Sequence, residues 1–276
     1  MKRFIPFFAT LVFMLIGFVM GGLMTTTAVR DPGSGATGDA SWIPVANFTH
    51  QEQVVRDSSV KITQPGGYGS GNYFKWKGFY IVVTAAHVVQ NLTSATVSEL
   101  DGGEVEAKVM YRDDVNDVAV LLLPHPLRTR NPLKLKIHAP KNLLGMKVFY
   151  TGNPNFNSLM SLDGRVASFG PLGRYYMQGF AWFGSSGSCV FDRKGRFVAI
   201  VTAMDHYMEG KDMHPLENLV LIIPASTLSL DLLQTALEDN SPAYFLAPKS
   251  YLILSEEPEE AEEIEVTPGG KDSGLE

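Results

Sequence analysis

The sequence predicts an all-β fold built from many short strands. The chain of 276 residues contains 26 Gly and 16 Pro together with abundant Val, a composition typical of turn-rich β proteins. Short β-type runs separated by turn residues extend from about residue 58 to 135, and the same pattern of runs and turns is found from 147 to 223. Closely spaced strands of this kind indicate a barrel or a sandwich.

We expect twelve strands and one helix from the pattern of apolar residues. The helix lies within 224–240, where Leu228, Leu232, Leu233, Ala236 and Leu237 form an apolar stripe, and Ser226 is its expected N-cap. The predicted strands fall into two groups of six. They are 60–62, 72–74, 80–84, 105–110, 118–123 and 133–137, followed by 147–151, 164–169, 174–177, 188–191, 197–202 and 219–223.

The N-terminal segment has the features of a membrane anchor. Lys2 and Arg3 precede an uncharged, mostly apolar run from 4 to 24, whose 21 residues are enough to span a bilayer. We therefore predict an uncleaved signal anchor at 1–30 and a flexible stalk at 31–50. The β domain is expected at 51–240, and a C-terminal extension with an acidic, disordered tail at 241–276. The β domain would then be extracytoplasmic, or secreted if the anchor is cleaved.

Charge and cysteine content exclude some classes of function. The net charge of −6 argues against a nucleic-acid partner. Cys189 is the single cysteine, so an intrachain disulfide cannot form, and we interpret it as a small buried hydrophobic residue. The segment 205–214 holds His206 and His214 beside acidic residues, but it is expected to be an exposed loop and not a metal site.

Three stretches indicate nucleophilic catalysis. The run G-S-S-G-S-C at 184–189 is a turn of small residues that can expose one hydroxyl beside free backbone N–H groups. Upstream, His87 follows the apolar strand at 80–84, and Asp117 directly precedes the strand at 118–123. A hydroxyl nucleophile needs a base, and that base needs an orienting carboxylate. Asp113 and Asp114 are the alternative carboxylates.

These stretches resemble the motifs of trypsin-like (chymotrypsin-fold) serine proteases. V-V-T-A-A-H-V-V is similar to the family's histidine motif, N-D-V-A-V-L to its aspartate motif, and G-S-S-G-S-C-V-F to its serine motif. G-S-G at 69–71, G-N-P at 152–154 and G-R-V-A-S at 164–168 point to the HtrA/Deg-like branch. The resemblance implies two six-stranded antiparallel β-barrels with a C-terminal helix. No PDZ-sized region follows the domain, so PDZ-type regulation is not expected.

The resemblance also implies roles for individual residues. Ser186 would be the nucleophile, with Ser185 and Ser188 as rivals, while His87 would be the general base and Asp117 its orienting acid. The backbone N–H groups of Gly184 and Ser186 would form the oxyanion hole. The residues expected to contact substrate are Val201, Thr202 and Ala203 at the cleft edge and Phe180 near the base of the specificity pocket, with His206 as a further candidate.

The combined prediction is a membrane-anchored serine endopeptidase that acts on protein or peptide substrates and needs no cofactor. The absence of a carboxylate at the expected pocket base argues against a preference for Lys or Arg. The alternative is a protease-fold protein with impaired catalysis that only binds peptides or a membrane partner. The residues that depart from the family motif, Ser185, Ser188 and Cys189, keep this alternative open.

Overall fold

The computed structural model describes residues 48–154, 159–209 and 212–245. The predicted anchor at 1–30, nearly all of the stalk and most of the C-terminal extension lie outside these residues. Within the described ranges, no helix is both long and apolar enough to cross a membrane.

The first half of the chain forms a closed six-stranded barrel. Helix α1 (His50–Ser58) leads into it, and all pairings around the barrel are antiparallel, in the order β1-β4-β5-β6-β3-β2, with β2 returning to β1. The bounds are β1 (Ser59–Gln64), β2 (Gly67–Trp76), β3 (Phe79–Thr84), β4 (Ser94–Ser98), β5 (Glu104–Asp113) and β6 (Val118–Leu122). Strand β7 (Leu133–Lys134) pairs in parallel with the outer part of β2.

The second half forms another closed six-stranded antiparallel barrel, in the order β10-β13-β12-β11-β8-β9. Helix α2 (Leu230–Glu238) follows it, and β14 (Ala243–Phe245) then returns to the first barrel, where it pairs in parallel with β5. The bounds are β8 (Lys147–Gly152), β9 (Met160–Phe169), β10 (Tyr175–Gly179), β11 (Cys189–Asp192), β12 (Phe197–Glu209) and β13 (Asp212–Pro224). The predicted all-β fold with two six-stranded barrels is confirmed.

Apolar side chains that alternate along the strands fill each barrel and the seam between them. Ile62, Tyr73 and Leu121 belong to the first interior, and Val148 and Met177 to the second. A third cluster joins the two barrels and includes Phe74, Val83, Phe149, Cys189, Phe191 and Ile200, with Leu233 and Leu237 of α2. Because these side chains are almost completely buried, the two barrels share one packed core. This core fixes the position of the loops of one barrel relative to those of the other.

The structure corrects several predictions of local structure. The strand predicted at 133–137 is formed only at Leu133–Lys134, which pair with β2, while Ile137 makes an isolated bridge with Phe197. Of the segment predicted as a loop, residues 205–209 belong to β12 and residues 212–214 to β13, and the two strands pair with each other.

Two helices also differ from expectation. Helix α2 begins at Leu230, and its N-cap is Ser229, not Ser226, because β13 continues to Pro224 and a 3₁₀ turn follows. Helix α1 was missed, although its signal is present: Thr49 and Glu52 form a capping box at its start.

Candidate active site

The small-residue segment after β10 folds into two consecutive turns. The Ser185 N–H donates to the Trp182 carbonyl (2.9 Å), and the Ser188 N–H donates to the Ser185 carbonyl (3.1 Å). The third position of each turn is a glycine with positive φ, +95° at Gly184 and +86° at Gly187, whereas the second positions have no positive φ. This combination is the signature of type II turns, which favour glycine at that position.

The two glycines are also required by contacts with the first barrel. A Cβ on Gly187 would lie 2.1 Å from Thr84 Oγ1, and one on Gly184 would lie 2.3 Å from a ring carbon of Tyr68. Both distances are too short for any side chain, so the backbone of the turns sits directly against β2 and β3.

Strand β2 holds the turns through the G-S-G tripeptide. The Ser70 N–H donates to the Ser186 carbonyl (2.8 Å), and the Ser70 hydroxyl donates to the Gly184 carbonyl (2.7 Å). The Asn153 N–H in turn donates to Ser70 Oγ (2.9 Å). Two motifs that are far apart in sequence, at 69–71 and 152–154, therefore meet at the serine turns.

His87 and Asp117 form a close pair on the first barrel. His87 lies in a short 3₁₀ helix directly after β3, and Asp117 directly precedes β6. The His87 Nδ1 atom is 2.9 Å from both carboxylate oxygens of Asp117, and the His87 backbone N–H donates to Oδ1 (3.0 Å). Asp117 has a φ of +52°, a left-handed conformation that Asp tolerates better than most residues.

The environment of His87 raises its pKa. Burial of the ring lowers the pKa, but the charge of Asp117 and its hydrogen bond outweigh this effect, while the Arg174 guanidinium opposes them. The His87 side chain remains 33% exposed, so part of the ring is accessible to solvent. Asp117 can hold the proton on Nδ1, which leaves Nε2 free to accept another.

The alternative carboxylates are engaged elsewhere. Asp113 accepts hydrogen bonds from the backbone N–H groups of Val115 and Asn116, both at 3.0 Å. Asp114 pairs with Arg112, whose Nε is 3.0 Å from its Oδ1. Of the three aspartates considered, Asp117 is the one that contacts His87.

Burial separates the three candidate serines. Ser185 is 1% exposed, and its hydroxyl accepts the Trp182 N–H (3.2 Å); Ser188 is fully buried. Ser186 is only partly buried, and its Oγ donates to the Thr202 carbonyl (3.3 Å). No hydrogen bond joins Ser186 to His87 within the described ranges. Burial also raises the pKa of the Cys189 thiol, which keeps it uncharged at neutral pH.

The backbone around Ser186 offers unused donors. Among the residues that the structure describes, neither the Gly184 N–H nor the Ser186 N–H donates a hydrogen bond. Two unpartnered N–H groups beside a candidate nucleophile can bind a negatively charged oxygen.

The predicted substrate-contacting residues lie on both sides of the turns. Val201, Thr202 and Ala203 belong to β12, where a β-bulge leaves Thr202 without a register partner on β13. The Val201 carbonyl accepts the Gly187 N–H (2.8 Å), which ties the strand to the turns. Phe180 follows β10 and is 40% exposed, while its carbonyl accepts the Tyr150 hydroxyl.

Sequence reasoning missed several residues at this site. Tyr68, whose hydroxyl donates to the Phe183 carbonyl (3.0 Å), was given no role, and neither was Arg174, whose Nε is buried without a partner among the described residues. The G-S-G motif at 69–71 does not by itself indicate the contacts that Ser70 makes with the serine turns. Within the described residues, no group of three His, Cys, Asp or Glu side chains is placed to hold a metal ion.

Comparison with known proteins gives consistent results. Residues 69–200 match the family model described as "Trypsin-like peptidase domain". The chain is 36% identical over 86 residues to "Protease Do-like 1, chloroplastic" of Arabidopsis thaliana, a match that spans 31% of this chain and 19% of that protein.

Solved structures agree on the fold. The serine endoprotease from Yersinia pestis superposes with a TM-score of 0.52 at 21% identity, covering 70% of this chain and 68% of that one. The HtrA-type protease AlgW, solved with a tripeptide, superposes with a TM-score of 0.55 at 19% identity, covering 69% of this chain and 63% of that one. Residues 69–200 therefore match a trypsin-like peptidase domain, and the resemblance of this chain to HtrA-like proteases is confirmed.

Proposed function

We propose that this protein is a serine endopeptidase in which Ser186, His87 and Asp117 act together. The trypsin-like fold supports a serine protease, and the observation that carries the assignment of residues is the His87–Asp117 pair, with Nδ1 2.9 Å from both carboxylate oxygens. The contacts of β2 and β3 with the serine turns support a cleft in which this pair faces Ser186.

The proposed reaction proceeds through an acyl-enzyme. Ser186 Oγ turns from the Thr202 carbonyl towards His87 Nε2, gives up its proton there and attacks the carbonyl carbon of the scissile bond. The oxygen of the resulting tetrahedral intermediate is stabilised by the N–H groups of Gly184 and Ser186. His87 then passes its proton to the leaving amine. In the second half of the reaction water gives a proton to His87 and attacks the ester carbonyl, and His87 returns the proton to Ser186 Oγ as the acyl group is released.

The substrate is proposed to be an extended peptide. The bulge at Thr202 leaves backbone groups of β12 out of the β13 ladder, and Val201, Thr202 and Ala203 run beside the serine turns. A peptide that adds to this edge as a strand would place its scissile bond next to Ser186. Exposed aromatic side chains nearby, Phe180 and Phe183, favour apolar substrate residues over charged ones.

Covalent labelling tests the assignment of the nucleophile. A fluorophosphonate probe is expected to label the wild-type protein and Ser185→Ala and Ser188→Ala, but not Ser186→Ala, which should also lose peptide hydrolysis by on the order of 10⁶ in kcat. The two buried serines serve as matched controls. Labelling that persists in Ser186→Ala, or disappears only in one of the controls, would contradict the assignment.

The alternative function is peptide binding without turnover. The hydrogen bond from Ser186 Oγ to the Thr202 carbonyl favours it, because that hydroxyl is not paired with His87. The same probe decides between the two functions. A wild-type protein that binds peptides but neither hydrolyses them nor reacts with the fluorophosphonate would be a binding protein.

We also propose that residues 1–30 anchor the enzyme in a membrane with its catalytic domain outside. The run from 4 to 24 would make roughly 31 Å of helix, close to the hydrocarbon thickness of about 30 Å. Deletion of 1–30 is expected to release a soluble, active enzyme, whereas the full-length chain should resist carbonate extraction. Full-length chain in the soluble fraction, or a catalytic domain protected on the cytoplasmic side, would refute the anchor.

A further inference from the structure

The orientation of one peptide plane decides whether the oxyanion site can form. Gly184 is the third residue of the turn Trp182–Ser185, and its N–H belongs to the same rigid plane as the Phe183 carbonyl. In a trans peptide the C=O and N–H bonds point in opposite directions. The direction of the Phe183 carbonyl therefore determines the direction of the Gly184 N–H.

Glycine alone does not select that orientation. The central peptide of a β-turn can rotate by about 180°, which converts type II into type I while the ends of the turn stay in place. Gly184 tolerates the φ values of both turn types because it has no Cβ. The ends are held here by the Ser185 N–H on the Trp182 carbonyl and by the Ser70 hydroxyl on the Gly184 carbonyl. These bonds leave the central plane as the variable part of the turn.

Tyr68 contacts this plane. Its hydroxyl donates to the Phe183 carbonyl at 3.0 Å, and its ring lies against Gly184, where a Cβ would be 2.3 Å from Cε2 and 2.7 Å from Cζ. With the carbonyl bound to Tyr68, the Gly184 N–H points away from the ring and has no partner among the described residues. A rotated plane would lose the Tyr68 hydrogen bond and turn the N–H away from the oxyanion position.

We propose that Tyr68 is a positioning residue that holds the Gly184 N–H in the orientation needed to bind the oxyanion. This inference rests on the proposed function of Ser186 as the nucleophile. Tyr68 does not touch the reacting atoms, and it acts through the Phe183–Gly184 peptide. The hydrogen bond joins β2 of the first barrel to a turn of the second, so the oxyanion site depends on the packing of the two barrels.

The test is Tyr68→Phe, which removes the hydroxyl and keeps the ring. Tyr244→Phe is the matched control, because the Tyr244 hydroxyl also donates to a backbone carbonyl, that of Val109 at 3.1 Å, on the first barrel. Loss of one oxyanion donor lowers kcat by about 10²–10³. Because a freed plane still visits the productive orientation, we expect Tyr68→Phe to lower kcat by about ten- to a hundredfold, with KM changed less than about threefold.

Labelling kinetics separate positioning from a structural role. A freely rotating plane should slow fluorophosphonate labelling in Tyr68→Phe, while the fraction of protein finally labelled stays at the wild-type value. A partly misfolded turn would instead reduce the final fraction. The pH profile should not move, because the His87–Asp117 pair is untouched.

Three results would overturn the inference. The first is a kcat for Tyr68→Phe within twofold of that for Tyr244→Phe, and the second is a loss of labelled fraction without a change in rate. Either would leave the proposed function standing if the wild-type protein is active. The third is a wild-type protein that neither hydrolyses peptides nor labels, which would overturn the proposed function and this inference together.

Discussion

The replacement Asp117→Asn tests the proposed orienting acid with little change to the backbone. Asp117 has a φ of +52°, and Asn tolerates this left-handed conformation as well as Asp does. The side chain keeps its size and loses its charge. A fall in activity can then be assigned to the contact with His87 and not to a distorted loop.

The size of the effect follows from the hydrogen bonds of the carboxylate. The His87 backbone N–H donates to Oδ1 at 3.0 Å and requires an acceptor, so the Asn carbonyl oxygen should stay at that position. The amide NH₂ would then take the place of Oδ2, 2.9 Å from Nδ1, and donate to it. This forces the proton of the neutral ring onto Nε2, which can no longer accept the Ser186 proton. We expect kcat to fall by about 10⁴, or roughly 5.5 kcal/mol of transition-state stabilisation.

The assay is peptide hydrolysis as a function of pH, with thermal unfolding as a check on the fold. Asp114→Asn is the matched control, since Asp114 lies three residues away and pairs with Arg112. We expect the control to keep activity within about threefold of the wild type. An Asp117→Asn enzyme that retains more than a tenth of the wild-type kcat, or a larger loss in Asp114→Asn, would refute the assigned role.

Three further predictions follow from the same contacts. Activity should rise with pH as His87 loses its proton, with a midpoint above the ordinary histidine pKa, because Asp117 raises the pKa of His87; a midpoint below that value would contradict the pairing. Glu99 accepts two backbone N–H groups at 2.7 Å, and these bonds lower its pKa against the opposing effect of burial. Glu99→Gln should therefore lower the free energy of unfolding by about 1–3 kcal/mol near neutrality, and the difference should shrink as the pH falls through the wild-type pKa; equal stability at pH 7 in urea titrations would count against this. Gly187→Ala would place a Cβ 2.1 Å from Thr84 Oγ1, and we expect loss of activity with a Tm lower by several degrees, so a wild-type Tm and kcat would show that the turn can rearrange.

The sequence by itself indicated most of the strands, although not β4 (Ser94–Ser98), and the aspartate and histidine candidates. The two-barrel arrangement was implied by the resemblance to trypsin-like proteases. Strands can be predicted locally because alternate side chains point to opposite faces, so apolar alternation marks a half-buried strand. His87 and Asp117 were identifiable because each adjoins a strand that is almost entirely apolar. Local patterns were less informative where a strand depends on its partner, as at 133–137, where only Leu133 and Lys134 pair with β2.

Only the tertiary structure decided which side chains surround Ser186. Ser185, Ser186 and Ser188 are chemically alike in sequence, and it is the burial of Ser185 and Ser188 in the folded domain that leaves Ser186 as the partly exposed one. Tyr68 reaches the Phe183 carbonyl across 115 positions of the chain, and no local pattern encodes that contact. It arises when the two barrels pack on a shared core and bring the start of β2 against the serine turns. Its position therefore follows from the docking of the barrels and not from any one segment.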